Sequence, residues 1–179
     1  MTGPMQQEPA YVLHRRPWRE TSLMVDVFSL NAGRVTVIAR GGNSAKSPLK
    51  AQLQPFQPLL LDWTGRSDLK TLTQADVRSG PTLKRTLSLY SGLYVNELLQ
   101  RLLPMADPHH QLFAAYIDVI AELSEASDVE PVLRRFEQSL AAELGYDFVW
   151  DQAMDSGQPV EAGGLYCYDP EQGILAEPS

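Results

Sequence analysis

The residues with the clearest chemical potential are cations set between apolar runs. The stretch "VIARGGNSAKSPLKAQLQPF", Val37–Phe56, holds Arg40, Lys46 and Lys50 together with a Gly-Gly pair and Ser47. Two chemistries use such a stretch. One is a nucleotide loop whose backbone amides wrap phosphates; the other is a set of side-chain cations facing the phosphates of a longer chain. The first needs G-x-x-x-x-G-K-[ST]. With Lys46 and Ser47 in the last two places, the glycine slots fall on Arg40 and Ala45. Both carry a Cβ, which restricts the left-handed backbone such a loop uses. Pro48 then disfavours the helix that should begin there. The nucleotide-loop motif fails.

Other cations flank aromatic rings. Arg15, Arg16 and Arg19 cluster near Trp18, and Arg66 and Lys70 follow Trp63. On "GRVTVIAR", Gly33–Arg40, a period of two sends Val35, Val37 and Ala39 to one face and Arg34, Thr36, Ile38 and Arg40 to the other. The first set is a predicted barrel interior. The second displays Arg34 and Arg40 outward, continued by Lys46 and Lys50. Single-stranded nucleic acid requires this combination, because charge tracks the backbone while rings stack on bases. The competing reading is a solvated basic face with both Trp residues in the core.

Catalytic constellations are sparse. His14 lies in a predicted strand, and His109-His110 follow Pro108 in a turn; neither has metal-ligand spacing, and no HExxH, GxSxG or Cys–His pattern occurs. Cys167 is the single cysteine, so no internal disulfide is possible. Neither a cofactor nor a metal is expected.

The elements that must carry these residues change character midway. "AYVLHRR" (Ala10–Arg16), "SLMVDVFSL" (Ser22–Leu30), "GRVTVIAR" (Gly33–Arg40), "QPFQPLLLDW" (Gln54–Trp63) and "DLKTLTQADV" (Asp68–Val77) read as strands separated by turn signals. Five short strands suit a small barrel, with an OB-fold leading and an SH3-like barrel as the alternative. The period then becomes helical. Leu89, Leu93, Leu98 and Leu102 predict the core face of a first helix. Leu112, Tyr116, Val119 and Leu123 do so for a second, and Leu133, Phe136, Leu140 and Leu144 for a third that stops at Gly145. A short hairpin around "GGLYCYDPEQGIL" is the one element expected beyond it. The fold class is α+β: residues 1–80 form a five-stranded OB-fold barrel, 81–149 an all-helical domain and 150–179 an irregular segment.

Charge follows the same division. The net charge is −7, yet residues 1–85 carry twelve Lys/Arg against six Asp/Glu, and residues 86–179 carry three against sixteen. Such asymmetry suggests a polyanion-binding module joined to a solvating or partner-binding one. No run of 18 apolar residues and no secretory pattern is visible, so a cytoplasmic protein without a membrane partner is expected.

From Ala10 to Tyr146 the chain resembles the bacterial recombination mediator RecO family. The resemblance rests on "VLHRRPWRETSLMVDVFSLNAGRVTVIARGG", "LKAQLQPFQPLLLDW", "LYSGLYVNELLQRLL" and "LRRFEQSLAAELGY" in the right order. It implies an OB-fold followed by a helical domain, binding to single- and double-stranded DNA, and annealing of complementary strands. It further implies partnership with RecR, a pathway shared with RecF, action on DNA coated by single-stranded DNA-binding protein, loading of RecA, and residence at the nucleoid. None of this requires nucleotide hydrolysis or an enzymatic centre. The expected DNA-contacting residues are Arg15, Arg16, Arg34, Arg40, Lys46, Lys50, Arg66 and Lys70. Many family members follow "LGY" with a four-cysteine zinc module and further helical sequence. Here only Cys167 stands where one such ligand falls, and zinc wants four soft or imidazole ligands, so residues 150–179 read as a remnant of that module.

The helical half has three cations, Arg101, Arg134 and Arg135. Arg134 has Glu130 and Glu137 in helical reach, whereas the i±3 and i±4 places of Arg135 hold no carboxylate. Arg135, aided by Arg134, is therefore expected to receive an outside anion. The resemblance supplies one: the acidic, phenylalanine-ended tail of single-stranded DNA-binding protein. A competing reading makes the whole chain a protein adaptor with a structural barrel. A nucleotide-dependent enzyme built on Gly41–Ser47 is a third.

Overall fold

A computed structural model describes residues 3–146 and 149–177; Asp147 and Phe148, in the weakly patterned stretch after Gly145, lie outside the described residues. Five strands close a barrel in the order β1-β2-β3-β5-β4. They are β1 (Met5–Trp18), β2 (Ser22–Ser29), β3 (Gly33–Ala39), β4 (Leu59–Thr64) and β5 (Leu69–Val77). All neighbouring pairs are antiparallel except β3 with β5, where Thr36, Val37 and Ile38 face Leu69, Lys70 and Thr71 in parallel register. This order, with one parallel closure, is that of an OB-fold. The interior is filled as the alternation of β3 requires: Val35, Val37 and Ala39 pack with Val12, Val25, Leu61 and Trp63.

Between β3 and β4 lies a short helix, α1 (Leu49–Gln52). It starts directly after Pro48, against the expectation that this proline would bar a helix. Pro48 sits at the N-cap with φ −64°, and its carbonyl accepts from Ala51 and Gln52. A proline there forfeits no helical hydrogen bond, because its amide would have been an orphan anyway. Leu53, just after α1, is fully buried in the barrel core.

Three longer helices follow: α2 (Thr86–Leu102), α3 (His110–Glu125) and α4 (Glu130–Glu143). The predicted core stripe of α3 is buried in full. On α4, Val132, Phe136 and Leu140 are buried and Leu133 only half-buried.

The stripe expected for α2 is overturned. Leu89 is 41% exposed, Leu93 43% and Leu102 51%, while Ser88, Ser91, Gly92, Val95, Asn96 and Leu99 form the buried face. The reason is proximity. A Cβ at Gly92 would lie 2.8 Å from the Phe56 ring, so only small residues let α2 come this close. Asn96 then reaches a bulge in β1 and donates to the carbonyls of Val12 and Leu13 at 3.3 and 3.1 Å. A bulge frees backbone carbonyls from the ladder, and a buried amide satisfies them here.

The chain divides into two compact units, residues 1–139 and 140–179. The second contains a hairpin, β6 (Tyr166–Asp169) with β7 (Gly173–Ala176), as the turn pattern predicted. Its turn is held by the Asp169 carboxylate, which accepts from the amides of Glu171 and Gln172. Cys167 is exposed on β6. No helix among the described residues is long and apolar enough to cross a membrane.

Candidate nucleic-acid interface

The three-residue turn Arg19–Thr21 joins β1 to β2, with Trp18 facing Ser22 across the hairpin. The amide of Asn43 donates to the Thr21 carbonyl at 2.8 Å, tying the loop after β3 to this turn. The same loop closes on itself: Gly42 donates to Ala39, Ser44 to Gly41 and Ser47 to Ser44, all at 3.0–3.1 Å. Amides engaged in this way are not available to wrap a triphosphate, which agrees with the failed motif.

Where the hairpin turn, the end of β3 and the start of β5 meet, a cavity of about 400 Å³ opens. Trp18 forms part of its wall, Arg19, Arg40 and Lys70 bring three cations, and among the described residues no carboxylate lines it. Among the described residues Arg19 and Arg40 form no ion pair. Arg19 also has a left-handed backbone, φ 54°. For a residue bearing a Cβ this conformation costs about 1–2 kcal/mol, and such outliers cluster at ligand clamps.

The expected DNA-contacting cations separate into groups. Arg40 and Lys70 come together in the cavity. Lys70, expected at the surface, is only 2% exposed, because the period of β5 turns it the same way as Leu72. Lys46 is exposed in the loop before α1, Lys50 is exposed on α1 itself, and Arg66 is exposed on the β4–β5 turn. Arg15 is committed internally: its guanidinium donates to the Lys50 carbonyl at 2.7 Å and to Gln54 Oε1 at 3.0 Å. Arg16 lies on the Met24 sulfur at 3.0–3.3 Å. Arg34 is drawn away altogether, its Nε donating to the Leu103 carbonyl at 3.0 Å. Of the two barrel tryptophans, Trp63 is core, 1% exposed, and Trp18 is left half-buried at the cavity. The sequence puts Arg19 next to Trp18 but gives it no site. The signal it lacked was the pairing of β3 with β5, which brings residues thirty positions apart to one rim.

On the helices, Arg134 pairs with Glu137, the i+3 partner expected for it. Glu137 also accepts from the Tyr94 hydroxyl at 2.8 Å, and burial together with Glu137 pushes that phenol's pKa up. Arg135 is not unpaired, contrary to the expectation: Glu122 on α3 forms an ion pair with it. A helix-periodicity argument sees only partners on the same helix, and this one comes from across the α3–α4 seam. Beside the pair lies a groove of about 200 Å³ with Val119, Val132 and Phe136 in its walls. Among the described residues no three His, Cys, Asp or Glu side chains gather as a metal site.

The fold and site define an α+β protein with an OB barrel, a basic cavity and an acidic helical region. Comparison with known proteins makes this specific. The model for "Recombination protein O N terminal" matches residues 1–81, and that for "Recombination protein O C terminal" matches residues 84–176. The chain is 64% identical to DNA repair protein RecO of Marinobacter nauticus over 179 residues, 98% of this chain and 73% of that one. It is 47% identical to DNA repair protein RecO of Nitrosospira multiformis over 171 residues, 96% and 71% of the two chains. With that of Haemophilus influenzae the identity is 46% over 166 residues, 93% and 70%. The chain belongs to the RecO family of DNA repair and recombination proteins.

Proposed function

We propose that this protein binds single- and double-stranded DNA on the basic side of the barrel and anneals complementary strands. In this reading it works without enzymatic turnover, in the cytoplasm at the nucleoid. It acts with RecR, and through the RecF pathway it helps load RecA onto DNA coated by single-stranded DNA-binding protein. One observation carries the DNA part: in a chain of net charge −7, Arg19, Arg40 and Lys70 meet in a cavity that, among the described residues, no carboxylate lines. Such local potential attracts a polyanion whatever the net charge. Lys46, Lys50 and Arg66, all exposed, extend the surface available to a strand.

The groove beside Arg135 supports a second contact, to the acidic phenylalanine-ended tail of single-stranded DNA-binding protein. Its apolar walls suit the ring, and Arg135 suits a carboxylate once Glu122 yields. A protein adaptor with a structural barrel is the alternative, favoured by Arg15 and Arg34 being bound to internal carbonyls.

Titrating a labelled single-stranded oligonucleotide at several salt concentrations tests the DNA reading. Affinity should fall linearly on a log–log plot, with a slope of about 0.7 per phosphate contacted. Absence of binding at low salt would leave the adaptor.

A further inference from the structure

The cavity at the hairpin turn is larger than a phosphate needs. Its volume of about 400 Å³ falls in the ~300–1,000 Å³ range of small-molecule sites. It is also chemically mixed. Trp18 offers an indole wall, Ile38 and Leu69 add apolar surface, and the hydroxyls of Thr21 and Thr71 are donors and acceptors. The cations stand among these groups and are not spread along a flat face. A π-face, hydrogen-bonding groups and cations in one recess are the complement of a nucleotide: base, edge and phosphate. A paired base is held in its stack and cannot enter a recess; an unpaired one can.

Resting on the DNA reading above, we propose that this cavity is a subsite for one unpaired nucleotide of a single strand. Its base stacks on Trp18, and its flanking phosphates lie against Arg19 and Arg40, with Lys70 adding positive potential from the buried side. The strained turn fits this role. Glycine at position 19 would adopt φ 54° without strain, so the arginine there sits against its local conformational preference. A strand threaded past this subsite would leave its neighbouring bases to solvent, while duplex DNA would meet only the exposed lysines outside.

The test uses the full chain and three ligands: an oligothymidylate of about ten nucleotides, an abasic phosphodiester of equal length, and thymidine 5′-monophosphate. The wild type should prefer the thymidylate over the abasic strand by roughly 5- to 150-fold, the range for one stacked base. Trp18→Ala should erase that preference while leaving abasic-strand affinity unchanged, and Trp18→Phe should retain much of it. Arg19→Gly should raise the melting temperature and lower the salt slope by about 0.7 for the thymidylate. Equal affinity of the wild type for both strands, or a preference that survives Trp18→Ala, would overturn the subsite while leaving DNA binding intact. Monophosphate binding as tight as the strand would overturn it in favour of a free-nucleotide site. Failure to bind any of the strands would instead remove the DNA reading and the subsite with it.

Discussion

The Tyr116 hydroxyl on α3 donates to the Asn96 side-chain carbonyl at 2.7 Å, deep between the helices and the barrel. Asn96 passes the network on to the Val12 and Leu13 carbonyls, so three elements share one satisfied polar cluster. Around it, Tyr11 and Phe28 from the barrel meet Phe113 and Tyr116 at ring-centroid distances of 4.9–6.2 Å. Aromatic edges bury large area there, and the amide removes the penalty of the bulged carbonyls.

This cluster gives stability an alkaline limb. Burial, with a smaller contribution from Tyr11, pushes the Tyr116 phenol far above its ordinary 10.0. Above pH 10 the unfolded chain releases this proton and the folded one keeps it, so stability falls as pH rises. The slope from one such group is at most about 1.4 kcal/mol per pH unit. Tyr116→Phe should cost about 1–3 kcal/mol at neutral pH, because the Asn96 carbonyl is left unpaired. It should also flatten the limb above pH 10. Urea melts of both proteins between pH 7 and 11 measure both effects, and parallel curves would refute the assignment.

Gly33 lies where the start of β3 and the α2–α3 connection come into close contact. Its φ is +68°, and a Cβ there would stand 2.0 Å from the Asp107 carbonyl oxygen. Gly41 has a similar φ of +69° with open space around it. Gly41→Ala should therefore cost only the left-handed penalty, about 1 kcal/mol. Gly33→Ala must in addition push the α2–α3 connection off β3, so its melting temperature should fall well below that of Gly41→Ala. Equal losses in calorimetry would show that the contact yields easily.

Exposed and internally bound cations should respond differently to salt. Replacing Lys46 and Lys50 together by Ala should reduce the salt slope for single-stranded DNA by about 1.4 if both meet phosphate. Arg34→Ala should leave the slope unchanged and lower stability by about 1–3 kcal/mol, since its Nε holds the Leu103 carbonyl. Binding isotherms at four salt concentrations plus a urea melt separate the two. A slope that drops for Arg34→Ala alone would move the DNA surface toward the helices.

The Arg135–Glu122 pair makes the proposed tail contact a competition. An incoming carboxylate must displace Glu122, so Arg135→Ala should weaken tail-peptide binding by no more than about 10- to 100-fold, the worth of charge-assisted hydrogen bonds. Glu122→Gln releases the arginine and should tighten the same peptide. Naked single-stranded DNA should bind all three proteins alike. Calorimetry that finds Glu122→Gln weaker than the wild type would exclude Arg135 from the site.

Much of this architecture was legible without coordinates, for definite reasons. Strand alternation at Val35, Val37 and Ala39 assigns the barrel interior because side-chain direction on a strand has a period of two whatever surrounds it. The α3 stripe Leu112, Tyr116, Val119 and Leu123 held because that helix buries one continuous apolar face. The stripe on α2 misled for the opposite reason: close packing on the barrel selected Ser91, Gly92 and Asn96 by size and hydrogen bonding, properties that hydrophobic periodicity does not register.

By itself, then, the sequence determined the five-strand barrel, the helical second half, the hairpin near Cys167 and the basic-to-acidic division, all properties of local pattern or of composition. Tertiary structure decided which cations belong together. Parallel pairing of β3 with β5 gathers Arg40 and Lys70 beside Trp18 and Arg19. The α2–α3 connection takes Arg34 for its own carbonyl, and α3 supplies Glu122 to Arg135. Charge is a property of a residue, whereas its availability depends on which distant backbone or side chain reaches it first, and that is set only when the chain closes on itself.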